Sequence, residues 1–503
     1  HAFRPNSKMP SFRFEDEQQV QALSAFIWQS AISDFQLPQQ ASGDPEQGKT
    51  LFESRGCMAC HAVGEEDQAV GGSFAANLSR MGEKANYDYL VRWIQNPRQR
   101  TYPFCPVHGR DITPQDYADQ GLPFVFGLEN AQCPLGDHLL QVQQPTVMPN
   151  LRLTPQEARN IASYLMTLKH DDAQYEAVPY LEDTELFEKG RQLARHFGCK
   201  GCHDIKGLES EGKIGTDLTK EGSKPIERLD FALLTEHAKA EGWYNAKGFF
   251  ERKLRDPAIF DEGKQKAPLE KLRMPNVSLT EEEITQLTTF LVGSVDSKYP
   301  ETFFYQPSDE RQYIQEGWWV VMKYNCVACH QFQPGQPTVM EGLPQYQSPD
   351  GREQLPPSLV GQGSRTNPNW LAGFLKNPSL SQTNLNRNGV RSYLQARMPS
   401  FNLSDGEIQK LVRFFSAISG EALPFSAPRL DPLSSGELTM ARDLFTHQAA
   451  PCMQCHATGD NLTDRDSTAP NFLFVPERLK SDWTRRWIVH PEIIRPGTAM
   501  PSG

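Results

Sequence analysis

The sequence predicts an all-α chain arranged as a tandem array of small domains, and three observations predict it. The string Cys-x-x-Cys-His occurs four times, at Cys57, Cys60 and His61; Cys199, Cys202 and His203; Cys326, Cys329 and His330; and Cys452, Cys455 and His456. A helical pattern of apolar residues precedes each string, and a Met-Pro pair follows each before the next begins. The first cysteines stand at similar intervals (199 − 57 = 142, 326 − 199 = 127 and 452 − 326 = 126), far above solenoid periods and close to the size of an independent domain.

The same elements follow one another in every repeat. The leading pattern runs over Pro45 to Ser54, Thr184 to Phe197, Asp309 to Tyr324 and Ser435 to His447. In the second of these, Leu186, Leu193, Ala194 and Phe197 recur at helical spacing, so the helix buries one face and delivers the chain into its Cys-x-x-Cys-His turn. A second helical element ends in a polar residue and proline, at Trp93 to Pro97, Leu254 to Pro257, Phe374 to Pro378 and Trp487 to Pro491. Proline stops it there, lacking the N–H that would continue the ladder. The Met-Pro pairs come next: Met148 and Pro149, Met274 and Pro275, Met398 and Pro399, Met500 and Pro501. After the first three pairs a capped helix is expected, started by Thr154 with Glu157, Thr280 with Glu283, and Ser404 with Glu407. Leu165, Leu287, Phe290, Leu291, Leu411, Phe414 and Phe415 supply its apolar faces.

Two thiols three positions apart, followed at once by an imidazole, are the arrangement that anchors a c-type haem. Both thiols reach the two vinyl carbons on one porphyrin edge, while the histidine turns back beneath the metal as its proximal ligand. A zinc half-site or a redox dithiol competes for any single string, but each makes the adjacent histidine a coincidence, four times over. The chain is therefore expected to hold four covalent haem c groups through its eight motif cysteines, with His61, His203, His330 and His456 on the iron. Thioether sulfur is a soft ligand that favours reduced iron, and recurrence in phase makes Met148, Met274, Met398 and Met500 the expected distal ligands. Met81, Met322 and Met340 lack the following proline and are read as packing; the remaining histidines are read as surface or loop, with His490 the best rival to Met500.

With these elements in place, essentially the whole chain resembles a string of class I, mitochondrial-type cytochrome c domains. The resemblance implies a tail of an incomplete domain at 1–37, then domains at 38–180, 181–300, 301–425 and 426–503, the first with a long insertion and the last without its final helix. In that family a Gly-Pro-x-Leu stretch follows the haem motif, and its proline carbonyl accepts the hydrogen bond of the proximal imidazole. Pro357 with Leu359 and Pro470 with Phe472 are similar to it; Ala76 before Leu78 and Thr216 before Leu218 depart from it.

Two cysteines lie outside the motifs, Cys105 and Cys133, both in the long insertion. Haem attachment of this kind belongs to oxidising compartments, where thiols pair, so a disulfide between them is the expectation. His108 and His138 beside them leave a four-ligand metal site as the alternative.

The net charge of −11 argues against a nucleic-acid partner and fits docking onto basic proteins. No run of about 20 apolar residues is present, so no transmembrane segment is expected in this chain. The absence of a secretory leader suits a processed or partial polypeptide located in the periplasm or outside the cell. The leading functional expectation is an electron-transfer protein that works with redox protein partners in a larger respiratory, photosynthetic or dehydrogenase complex. A peroxidase or nitrite reductase type of enzyme with one open iron is the first competitor, and a conductive filament subunit the second. Met9 and Pro10 before Phe14 to Ser30 repeat the Met-Pro plus helix unit, and Met500 stands where a final helix would begin. The expectation is therefore a window on a longer polypeptide with a further haem domain upstream and a completing helix downstream, with self-association through the chain ends into a filament as the alternative.

Overall fold

The computed structural model describes residues 9–30, 37–64, 68–97, 104–122, 132–140, 146–170, 178–201, 215–266, 271–295, 307–378, 397–422, 431–446, 452–456, 475–495 and 498–501, apart from a few single positions within them, together with His203, Ile205, Leu208, Phe425, Ser426, Pro428, Ala469 and Phe472. The chain folds as two compact units, one made of residues 1–35 and 174–305, the other of 36–173 and 306–503. Helices dominate both. In chain order the longer ones are α1 (Glu17–Gln29), α2 (Pro45–Ser54), α3 (Tyr87–Gln95), α4 (Pro155–Thr167), α5 (Thr184–His196), α6 (Ala246–Arg255), α7 (Glu281–Gly293), α8 (Asp309–Lys323), α9 (Pro368–Lys376), α10 (Asp405–Ile418), α11 (Ser435–Thr446) and α12 (Ser481–Val489). Two short antiparallel hairpins complete the described structure, β1 (Ala62–Val63) with β2 (Val70–Gly71) and β3 (Phe104–Cys105) with β4 (Arg110–Asp111).

Local sequence sets these boundaries. The three expected capping boxes form at α4, α7 and α10, where the Thr or Ser side chain takes the backbone N–H three residues on and the Glu side chain returns to the cap. Asp44 and Asp183 cap α2 and α5 with single carboxylates. At the other end, α3, α6 and α9 stop at Asn96, Asp256 and Asn377, each in extended conformation ahead of its proline.

In the larger unit, α2 crosses α4 and α8 crosses α10. A glycine permits each crossing: a Cβ on Gly48 would lie 1.9 Å from the Asn160 carbonyl oxygen, and one on Gly317 would lie 2.1 Å from the Phe414 Cβ. The backbones therefore approach closer than any side chain allows. Phe52, Leu90, Val91, Ile94, Ile161 and Leu165 fill the first core. That core also takes in Ala328, Met340, Leu343 and Tyr346 from the third repeat, so the first repeat does not enclose a core of its own, as the spacing alone suggested. Val320, Val321, Leu371, Leu411, Phe414 and Phe415 fill the next. Further along, Thr366 bridges to Leu479, and the Lys480 ammonium reaches the Glu421 carboxylate at 2.9 Å.

The smaller unit is wired differently. Here α5 takes α1 as its partner, with Gly190 so close that a Cβ would lie 2.0 Å from the Ala22 carbonyl oxygen. Phe26, Ala194 and Leu208 make the core of this pair, and Phe12 and Phe14 close on Phe197. Helix α7 packs on α6 and the Glu221–Ser223 turn, leaving Phe290 68% exposed. A separate aromatic cluster gathers Phe231, Trp243 and Phe260. In the fourth repeat Leu438, Met440 and Leu444 of α11 are exposed. Met322, expected as packing, is also 48% exposed, because it sits on the solvent side of α8, whereas Met340 is buried as expected.

Candidate functional site

In the first three repeats the leading helix ends one turn before its Cys-x-x-Cys-His string, and the chain reverses through a left-handed residue placed directly before the first cysteine. That residue is Gly56 (φ 91°), Gly198 (φ 68°) and Asn325 (φ 55°) in the first three repeats. The string then winds as a single tight turn. In every repeat the histidine backbone N–H closes it on the carbonyl of the first cysteine, at 3.0 Å for His61 and 2.9 Å for His203, His330 and His456. Cys202 lies outside the described residues.

Two of the imidazoles are fixed further. Nδ1 of His61 bonds the carbonyl of Ala76 at 2.8 Å, and Nδ1 of His330 bonds that of Pro357 at the same distance. A proton on Nδ1 leaves Nε2 as the bare nitrogen available to a metal. Ala76 thus fills the position where the resemblance implies proline, since only a backbone carbonyl is needed. Pro470 lies outside the described residues; there Phe472 stacks on the His456 ring with centroids 4.4 Å apart. Burial pushes the Cys57, Cys326 and Cys329 thiols up to about 12 and holds the His330 imidazole below its ordinary value. Neutral thiols, a neutral imidazole with one free nitrogen and an adjoining apolar core fit covalent haem.

Of the methionines, Met398 joins the cluster that holds Cys326 and Leu359. Met148 accepts a 3.1 Å hydrogen bond from the Trp93 indole to its sulfur. Met274 and Met500 are half-buried. The Met-Pro segments also pair with one another: Asn150 and Ser400 exchange backbone hydrogen bonds of 2.9 and 2.8 Å, and Ser11 and Asn276 do the same at 2.6 and 3.2 Å. Arg152 reinforces the first pair by donating to the Met398 carbonyl at 2.7 Å and the Ser400 hydroxyl at 3.0 Å. Nearby, the Asn325 amide stands 3.5 Å from the Cys60 sulfur, which makes the first and third turns neighbours.

Sequence reasoning missed the crossing glycines, although the signal was there. Gly48, Gly190 and Gly317 each stand nine positions before the first cysteine of their motif (57 − 48, 199 − 190 and 326 − 317), and the fourth repeat has Asp443 at that place.

In the insertion, the Cys105 and Cys133 sulfurs come within 3.8 Å of each other. Nδ1 of His108 and Nε2 of His138 each lie 3.0 Å from the Cys105 sulfur. Burial raises the Cys105 thiol, but the bonds from His138 and from the His108 ring and backbone outweigh it and bring it down to about 6.

Residues 45–169 match the cytochrome c family, so this segment is a cytochrome c domain that binds haem c covalently. Among curated proteins, the chain is similar to the cbb3-type cytochrome c oxidase subunit CcoP of Helicobacter pylori, with 35% identity over 79 residues, 15% of this chain and 25% of that protein. The same subunit from Helicobacter pylori strains 26695 and 52 matches at 35% over the same length. The chain therefore spans about a quarter of the curated relatives it matches. No solved structure matches it. No helix among the described residues is long and apolar enough to cross a membrane.

Proposed function

We propose that this chain is a four-haem c-type cytochrome that passes single electrons between redox partners of a respiratory complex, outside the cytoplasmic membrane. The haem-bearing regions are 38–180, 181–300, 301–425 and 426–503, preceded by a Met-Pro and helix tail at 1–37. The observation that carries this reading is the recurrence of one turn: the same histidine-to-cysteine closure occurs in all four repeats, although the family match covers only the first. Haem bound in such a turn supplies a one-electron ferric/ferrous couple.

The residues' own contributions follow from their geometry. Each cysteine pair would tether the group by thioether bonds, so that its retention does not depend on affinity. Ala76 and Pro357 orient the His61 and His330 rings and raise their basicity through the Nδ1 hydrogen bond. Met148, Met274, Met398 and Met500 are the proposed distal ligands, and sulfur there would hold the potential above that of a bis-histidine site. Asn325 brings the third turn against the first, so these two haems would be neighbours. The similarity to a subunit named for cytochrome c oxidase favours an oxidase or another respiratory complex as the partner.

A potentiometric titration followed optically tests the proposal. It should take up four one-electron equivalents per chain, with the weak far-red band of methionine-ligated ferric haem, and added cyanide should bind slowly at every iron. Rapid cyanide binding at one iron would replace electron transfer by catalysis at that site, and a spectrum of bis-histidine haems alone would remove the methionine assignment.

A further inference from the structure

We propose that Cys105, His108, Cys133 and His138 form a structural zinc site that closes the insertion between Pro97 and Met148. Their four ligand atoms all lie within 4.8 Å of one another. Around a tetrahedral ion with Zn–S of about 2.3 Å and Zn–N of about 2.0 Å, two sulfurs stand roughly 3.8 Å apart and a sulfur and a nitrogen roughly 3.6 Å. The observed separations are 3.8 Å between the sulfurs and 3.0 Å from the Cys105 sulfur to each imidazole. The four groups thus already surround one point, with the imidazoles needing to move outward by about half an ångström to admit the ion.

Two local turns build the cluster. Cys105 ends β3 and His108 lies in the turn that leads to β4. Cys133 and His138 flank the second turn, closed by the Cys133 N–H on the His138 carbonyl at 2.8 Å and by the Gln132–Leu139 bridge. Both cysteines are followed by proline, at Pro106 and Pro134. The His108 backbone N–H also donates to the Cys105 sulfur at 3.3 Å, a bond that stabilises a thiolate ligand.

Among the described residues of the insertion, Cys105 and Cys133 belong to one buried cluster with Ile112, Tyr117 and Leu140, so the metal would stand within a core. A disulfide needs its sulfurs at about 2.05 Å and leaves both imidazoles without a purpose. Two thiolates with two imidazoles in a closed tetrahedron suit zinc, which has no redox chemistry of its own and so adds no stop for electrons.

The test is metal analysis of the purified intact protein after dialysis with zinc as the only added metal. About one zinc per chain is expected, and its X-ray absorption should fit two sulfur and two nitrogen neighbours. Cys133→Ser and His108→Gln should each lose that zinc while the haem iron per chain stays constant. His108 is exposed, so its variant decides the matter if Cys133→Ser fails to fold. A Cys105–Cys133 linked peptide in an unreduced digest, zinc uptake unchanged in both variants, or free thiols with no uptake would each overturn the proposal.

Discussion

The first and second repeats have the same order of elements, yet their leading helices find different partners. Helix α2 pairs with α4, which follows its own Met-Pro loop, whereas α5 pairs with α1, from far upstream of its motif. Both crossings use a glycine nine residues before the first cysteine and a helix that follows a Met-Pro pair, Met148 with Pro149 in one case and Met9 with Pro10 in the other. The difference teaches that the repeat encodes the kind of helix needed but not which copy supplies it. Any amphipathic helix with a small or flat patch at the crossing satisfies the glycine. Helix α7, displaced from that role, shows the cost in an exposed Phe290.

Filling the crossings gives the largest expected effect. Gly48→Leu should destabilise the first repeat by about 3 kcal/mol, since a side chain there meets backbone rather than a movable group. Gly190→Leu should instead release α1, seen in limited proteolysis as new cleavage between residues 14 and 30 with the first repeat still resistant. Cleavage confined to 281–293 would show that α7, not α1, is the working partner of α5 and would erase the contrast.

A smaller effect concerns what joins the first and third repeats. The Glu157 carboxylate lies 2.7 Å from Arg55 and 3.3 Å from Arg397. Burial works to raise its pKa, but the Thr154 N–H and both guanidinium groups outweigh that and hold it below the usual carboxylate range. With a folded pKa below the unfolded value of about 4.3, this carboxylate stabilises fully above that value and loses its contribution as pH falls through the folded one. The hydrogen-exchange protection of residues 150–154, 397, 398 and 400, taken relative to the intrinsic exchange rate at each pH, should therefore fall in acid. Glu157→Gln should produce the lower protection already at neutral pH, a loss of about 2 kcal/mol, with little further change on acidification. Equal acid sensitivity in the variant would assign the effect to other groups.

Contiguous chemistry was legible in the sequence, and converging chemistry was not. The Cys-x-x-Cys-His turns and the capping boxes are local, so spacing alone located them; the leading helices α2, α5 and α8 end within one residue of the expected limits. Ala76 stands out in the sequence only as a departure from proline, and that its carbonyl still serves the His61 ring was not legible, because a backbone carbonyl leaves no trace in residue type. The pairing of α1 with α5 and the neighbouring of Cys60 with Asn325 depend on which copies dock, a choice made by tertiary packing. For Cys105 and Cys133 the sequence could show only proximity along the insertion; the approach of both imidazoles to the Cys105 sulfur required the fold.

The central claim, that all four turns and not only the first hold covalent haem, is tested most directly by the intact mass of the purified protein under denaturing conditions. The account predicts the polypeptide mass plus four haem increments, falling to three in a Cys199→Ala, Cys202→Ala variant. A single increment in the wild-type protein, lost when Cys57 and Cys60 are replaced, would contradict it and leave the segment 45–169 as the lone haem domain.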